Sequence, residues 1–371
     1  MRLLLISLAL ILAACSDPTP GGDDAVTQGF AGLGGDADEF AQVDPSQPLQ
    51  FPEDHAAHPE YRIEWWYATA NLQDQQGRRY GIQWTLFRQA LEPEAQLGDW
   101  QDGQVWMAHV GLTTAEDHWQ GERFGRSGGG QAGVVTEPFY QAWLDDWSLK
   151  EVRAPGSERS PSALDPLSHL RLQADTDDFA YDLVLQTDQS LVLHGDDGFS
   201  RKSERGQASW YYSQPFYQVN GRLTLPDGEQ VTVRGDGWLD REWSSQPLAP
   251  EQQGWDWFSL QLDSGERVML FRLREDDDDE SFRAGTWISV AGEATPLTPQ
   301  QIDMTPTETT EVAGRTVPVG WRLRLPDFGL DIDTHPLNPQ SWMDTSIPYW
   351  EGPVEFSGSH TGRGYLEMTG Y

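Results

Sequence analysis

The chain has 371 residues, of which 37% are hydrophobic, so it is long enough for two domains of ordinary size with their own cores. Its formal net charge is −34, and its only lysines are Lys150 and Lys202. Such an acidic surface repels phosphate backbones, which argues against nucleic acid as a partner.

The N-terminus predicts a secretion signal. Leu3–Ala14 is an apolar run behind a short basic start, and it is too short to span a membrane as a mature helix. It ends in the motif Leu12-Ala-Ala-Cys15, which resembles the bacterial lipobox. The resemblance implies a signal peptide over residues 1–14 and a diacylated Cys15. Because Ser16 follows rather than aspartate, it also implies anchoring in the outer membrane, facing the periplasm.

The segment after the cysteine is predicted to be a flexible tether. Residues 15–50 are rich in Pro, Gly, Asp, Gln and Ala and contain few large apolar residues. The folded body is predicted to begin at Phe51, so the anchor and the tether together would hold this body near a membrane surface.

Strand patterns dominate the remainder of the chain. Residues 64–72 and 79–88 flank a turn at 74–77, and apolar side chains alternate with small or polar ones along 79–88, which predicts a β-hairpin. Further strands are predicted over 105–114, 170–174, 179–186, 191–194, 222–225 and 230–233. No long helical period occurs, so the predicted fold class is all-β.

The hairpin pattern recurs in the second part of the chain. Residues 254–262 and 267–274 flank a turn at 263–265, and both hairpins close on Leu-Phe-Arg, at 86–88 and 270–272. The recurrence predicts two barrel-like or sandwich-like domains of related plan, over residues 51–247 and 248–371.

The segment 234–244 carries the main candidate for chemistry. If it continues the strand 230–233, Trp238, Asp240 and Glu242 share one face, and the two carboxylates lie about 6.6 Å apart along the strand. One interpretation is a buried structural ion pair with Arg241 or another arginine. The other is an acid site, because crowding two carboxylates against apolar surface raises the pKa of one of them.

The motifs together resemble the AttH-like and hydroxyneurosporene-synthase-like family, which includes the carotenoid 1,2-hydratases. The matching segments are 58–67, 87–88, 108–109, 143–147, 194–195, 209–213, 240–243, 254–258, 349–353 and 364–371. The resemblance implies two lipocalin-like antiparallel β-barrel domains packed side by side.

The resemblance also implies a reaction. Hydratases of this family add water to an isoprenoid alkene without a cofactor, which requires an acid, an aromatic wall for the cation and a held water. The acid would be Asp240, accompanied by Glu242. Arg241 departs from the family pattern, which has histidine there, and arginine favours an ionised neighbour.

Other residues are predicted to line a ligand pocket, and no metal site is predicted. The candidate ligand-binding residues are Glu64, Trp66, Tyr67, His109, Tyr211, Tyr212 and Trp238. His109 has a second interpretation as a satisfied core histidine. His55 and His58 have the spacing of a metal pair but no evident third ligand nearby.

Three functions remain open from the sequence. The first is a lipoprotein that binds a hydrophobic ligand such as a lipid or isoprenoid, and the second is a hydratase or isomerase acting on that ligand. The third is a secreted carbohydrate-active or glycan-binding β-protein, because carboxylate pairs beside tryptophan also suit sugars.

Overall fold

The structure, a computed structural model, describes residues 37–93, 103–153, 165–275 and 281–371. The predicted signal peptide, Cys15 and residues 16–36 of the predicted tether lie outside the described residues. Antiparallel strands form two sheets, one after the other along the chain, and the predicted all-β fold class is confirmed.

The first sheet curls into a nearly closed barrel in the strand order β4-β3-β2-β1-β13-β12-β9-β8-β7-β6-β5, with β10 and β11 paired to β12. Its strands are β1 (Ile63–Gln73), β2 (Arg79–Ala90), β3 (Gln104–Thr113), β4 (His118–Gly125), β5 (Ala132–Val135), β6 (Gln141–Leu144), β7 (Trp147–Glu151), β8 (His169–Asp175), β9 (Ala180–Gln186), β10 (Val192–Leu193), β11 (Phe199–Arg201), β12 (Ala208–Thr224) and β13 (Gln230–Ser244).

The second sheet forms a half-barrel in the order β17-β16-β15-β14-β23-β22-β20-β19-β18, with β21 paired to β22. Its strands are β14 (Gly254–Leu262), β15 (Arg267–Arg274), β16 (Phe282–Ile288), β17 (Ala294–Leu297), β18 (Asp303–Val312), β19 (Arg315–Leu325), β20 (Leu330–Pro336), β21 (Trp342–Met343), β22 (Tyr349–Gly358) and β23 (Gly362–Thr369). Short 3₁₀ turns occur at Glu53–His55, Gly128–Gly130, Pro166–Ser168, Pro299–Gln301 and Pro326–Phe328.

Each sheet buries its own core on its concave side. Successive side chains of a strand point to opposite faces, so Trp66, Trp84 and Trp106 fill the first barrel, while Trp321 and Trp350 belong to the core of the second. A third apolar cluster lies between the two sheets and joins their outer faces. The two predicted lipocalin-like units therefore pack side by side through the backs of their sheets.

The chain crosses from one sheet to the other between Ser244 and Gly254, and the predicted boundary at 247/248 falls in this connection. Residues 37–50 lie against the first sheet: Val43 and Leu49 pack on its core, and Ser245 Oγ donates a hydrogen bond to the carbonyl oxygen of Ala41. Among the described residues, no helix combines the length and the apolar character needed to cross a bilayer.

Candidate active site between the two sheets

A cavity of about 200 Å³ lies between the outer faces of the two sheets. Strands β1, β2, β3, β4, β12 and β13 contribute to one wall, and β14, β15, β22 and β23 contribute to the other. Most of the lining is apolar or aromatic, including Trp65, Trp257 and Phe271. The barrel interiors are filled by their own cores, whereas this cavity offers room for a small molecule.

Asp240 lies in the first wall of the cavity and is buried. One of its oxygens accepts hydrogen bonds from Ser213 Oγ and from Trp238 Nε1, the latter at 2.6 Å. Its other oxygen accepts from Tyr211 Oη at 3.0 Å. No Arg, Lys or His of the described ranges forms an ion pair with Asp240.

The protonation of Asp240 follows from this environment. Burial raises its pKa to about 7, and the nearby charge of Glu242 acts in the same direction, although three hydrogen-bond donors oppose the shift. At neutral pH a substantial fraction of Asp240 therefore carries a proton. The donors also stabilise the carboxylate that remains once this proton is given away, which suits a general acid.

A polar chain supports Asp240 from behind. Ser213 contacts His194 Nε2 at 2.6 Å, and His194 Nδ1 lies 2.8 Å from Thr286 Oγ1 on the second sheet. Burial lowers the pKa of His194 to about 3, so its ring stays neutral. With Thr286 donating to Nδ1, Nε2–H donates to Ser213 and leaves the serine proton for Asp240.

Glu242 also lines the cavity, but its surroundings differ from those of Asp240. Lys202 Nζ forms an ion pair with Glu242 Oε1 at 2.7 Å, and both side chains are about 7% exposed. The ammonium group lies over the rings of Tyr211 and Phe271, at 4.9 and 4.3 Å from their centroids. Lys202, which the sequence marks as one of two lysines, is thus a cavity residue that the site prediction did not include.

The predicted ligand-binding residues divide between the two faces of the strands. Tyr67, His109 and Tyr211 line the cavity, and Trp238 lies beneath its wall, bonded to Asp240. The others face into the first barrel because they occupy the alternate strand positions. These are Glu64, Trp66 and Tyr212.

The inward-facing residues take part in structural contacts. Glu64 pairs with Arg88 and, at 2.5 Å, with Arg241 Nη2. Burial alone would raise the pKa of Glu64, but the two guanidinium groups hold this pKa well below its usual range. Arg241 therefore neutralises Glu64 on the barrel side of β13, and the predicted alternative of an Asp240–Arg241 ion pair does not occur.

Other cavity residues gave weaker signals in the sequence. Glu367 lines the second wall and lies within the closing motif 364–371, which carried the family resemblance but no assigned role. Trp257 belongs to the recurring hairpin, and its Nε1 donates to Tyr211 Oη at 3.0 Å across the interface. Whether these residues reach the cavity depends on which face of each sheet packs against the other sheet. A single sequence does not show this directly.

Two antiparallel, lipocalin-like sheets packed back to back, with a buried carboxyl in the apolar cavity between them, define a class of two-barrel β-protein. A family model described as AttH-like matches residues 42–371. The chain therefore belongs to the AttH-like family, and the family prediction is confirmed.

Solved structures share this architecture. A protein assigned as AttH from Nitrosomonas europaea is 34% identical, with 90% of this chain and 99% of that chain covered and a TM-score of 0.75. Kievitone hydratase from Nectria haematococca is 18% identical, with 89% and 95% covered and a TM-score of 0.64. At that identity the likeness shows the fold alone. No curated protein sequence matches the chain.

Proposed function

We propose that this protein is a lipid-anchored, periplasm-facing protein of the bacterial envelope that binds a neutral apolar ligand, such as a lipid or isoprenoid, between its two sheets. We further propose that it hydrates or isomerises an alkene of that ligand without a cofactor. The observation that carries the proposal is Asp240, a buried carboxyl whose pKa of about 7 keeps a proton available in the wall of an apolar cavity.

The cavity suits an apolar ligand because aromatic and aliphatic side chains cover most of its surface. Its charged groups are largely neutralised from within, since Lys202 pairs with Glu242. A ligand that enters would therefore gain mainly from the removal of apolar surface from water, at roughly 25 cal/mol per Å².

The chemistry follows from the acid and the rings. Proton transfer from Asp240 to an alkene carbon forms a C–H bond and leaves a tertiary cation, which the faces of Trp65 and Trp257 can stabilise. Water then forms the C–O bond, and the proton that it releases restores a carboxylic acid in the cavity wall. Loss of a different proton from the cation gives the isomer. The similarity in fold to kievitone hydratase supports this reaction class.

The ligand class is tested by purifying the full chain from native membranes and identifying co-purified small molecules by mass spectrometry. We expect a neutral isoprenoid or lipid that a variant with a blocked cavity, Leu248→Trp, no longer retains, because Leu248 is buried in the lining. An empty cavity together with specific binding on a glycan array would contradict the proposal and favour the carbohydrate alternative.

The acid is tested by Asp240→Asn. The amide oxygen can accept from Ser213 and Trp238, and its N–H₂ can donate to Tyr211, so the fold is expected to persist while alkene turnover falls at least about 100-fold. The matched control is Asp236→Asn on the same strand, whose carboxylate meets Gln218 at the surface. Turnover is followed by chromatography, and melting is followed by circular dichroism. Full activity in Asp240→Asn would refute the role of the acid.

A further inference from the structure

A second pair of carboxyls lies on the opposite side of the interface. Glu351 on β22 and Glu367 on β23 are directly opposite each other in the antiparallel register. Residues in such positions have Cβ atoms only about 5 Å apart, and like charges there repel each other. Glu351 is buried, whereas Glu367 keeps part of its surface open to the cavity that Asp240 lines from the other sheet.

Neither carboxyl of this pair has a basic partner among the described residues. Within the described ranges, neither carboxyl forms an ion pair with Lys, Arg or His. Tyr67 Oη donates to Glu351 Oε1 at 2.6 Å, and Trp255 Nε1 donates to Glu367 Oε1 at 3.2 Å. Glu351 Oε2 is buried and has no hydrogen-bond partner in the described structure. Two such carboxyls cannot both be ionised at low cost, so the pair retains a proton.

Burial and nearby negative charges raise the pKa values of both Glu367 and Glu351. Burial raises the pKa of Glu367 to about 8, and the charges of Asp240 and Glu242 add to this effect. Burial, followed by the charge of Glu367, raises the pKa of Glu351 well above its usual range. Asp240 and Glu367 therefore both titrate near neutral pH, where forms with one of the two carboxyls protonated and the other ionised are populated.

We propose that Glu367 is the second catalytic carboxyl of the site, so that proton donation and proton acceptance occur on opposite faces of a ligand held between the sheets. This inference rests on the proposed function. Asp240 gives its proton to the alkene carbon, water forms the C–O bond from the side of the second sheet, and the proton of that water passes to the Glu367 carboxylate. Glu367 then releases this proton to solvent, and Asp240 takes up a new one. Glu351 is a positioning residue: it lies directly opposite Glu367 and keeps its own proton, so that the single negative charge of this pair can reside on Glu367.

The stereochemistry of addition tests this arrangement. The probe is a methyl-substituted cyclohexene incubated with the full chain in D₂O, and the product is analysed by NMR. A donor on one sheet and an acceptor on the other place deuterium and oxygen on opposite faces of the ring, which is anti addition. Syn addition would show that Asp240 serves as both acid and base and would overturn the inference.

Glu367→Gln is the matching variant, because its amide oxygen can still accept from Trp255. We expect turnover of the probe to fall at least about 100-fold, with unchanged melting and with the acidic limb of the pH–rate profile lost, because a general base is inactive once it is protonated. Glu351→Gln is expected to shift that limb rather than remove it. The exposed Glu355→Gln, on the same strand as Glu351, is the control and should behave as the wild type. Wild-type activity in Glu367→Gln would contradict the inference.

An infrared titration separates this inference from the proposed function, because it needs no turnover. The difference between wild type and Glu367→Gln should contain a protonated-carboxyl band that disappears near pH 8. If the wild type fails to convert the probe but this band is present, the proposed reaction is wrong and the acid–base state of Glu367 stands. If the band is absent, Glu367 neither holds nor exchanges a proton near pH 8, and the inference is wrong.

Discussion

At the level of single residues, strand alternation decides what a side chain can do. The prediction that Trp238, Asp240 and Glu242 share a face is confirmed, because Leu239 and Trp243 pack in the barrel core on the other side. The site prediction nevertheless chose neighbours in the chain, such as 66 with 67 and 211 with 212. Alternation lets only one member of each pair reach the cavity, so this part could have been refined from the sequence itself.

The titrating residues between the sheets predict how stability depends on pH. Asp240, Glu351 and Glu367 all have raised pKa values in the folded protein, whereas unfolded carboxyls titrate near pH 4. A raised carboxyl contributes stability that is complete below its unfolded pKa and is lost as the pH rises through its folded pKa. The free energy of unfolding is therefore expected to fall between about pH 6.5 and pH 8.5, by about 1.4 kcal/mol per pH unit for each proton retained.

Groups that oppose this trend act at lower pH. Burial lowers the pKa values of His118 and His194 to about 4 and about 3, so the unfolded chain binds their protons only below about pH 6.5. Denaturant titrations at pH 6.5 and pH 8.5, at one ionic strength, measure the effect. The double variant Asp240→Asn, Glu367→Gln should flatten the dependence. Stability that rises over this interval in the wild type would disprove the explanation.

At the level of elements, the two hairpins share the same kind of cross-strand carboxylate–arginine pair. Glu64 on β1 lies opposite Arg88 on β2, and Asp256 on β14 lies opposite Arg272 on β15. In both hairpins the pair is buried. The shared Leu-Phe-Arg ending predicted the recurrence, since its arginine is the partner of the carboxylate. The sequence did not reveal that neither carboxylate, Glu64 or Asp256, lines the cavity between the sheets.

The buried pair of the second hairpin is expected to matter more than an exposed one. Asp256 receives hydrogen bonds from Arg272, Arg274 and Tyr371, so Asp256→Asn removes a buried carboxylate that pairs with two guanidinium groups and should cost ~3–5 kcal/mol. Asp331→Asn, which breaks the surface pair with Arg322 in the same sheet, should cost only ~0–1 kcal/mol. Equal losses in chemical denaturation would contradict this reasoning.

At the level of the whole molecule, the N-terminal lipobox predicts attachment to a membrane. Cys15→Ser should release the protein into the soluble periplasmic fraction, because that cysteine is the predicted site of acylation. Cell fractionation and immunoblotting measure this, with Ser16→Ala as the control that keeps the cysteine. A Cys15→Ser protein that remains membrane-bound would show that another feature holds it there.

The back-to-back packing of the sheets separates two demands on the same strands. Side chains that point inward determine whether a barrel folds, and side chains that point outward determine the shape of the cavity between the sheets. A substitution at an outward position therefore need not disturb the barrel core. Substitutions at alternate residues on a few strands are therefore expected to change the shape and polarity of the cavity while the barrels stay intact. The same separation makes the protein a practical scaffold for redesign, because new pockets can be introduced without disturbing the barrel cores.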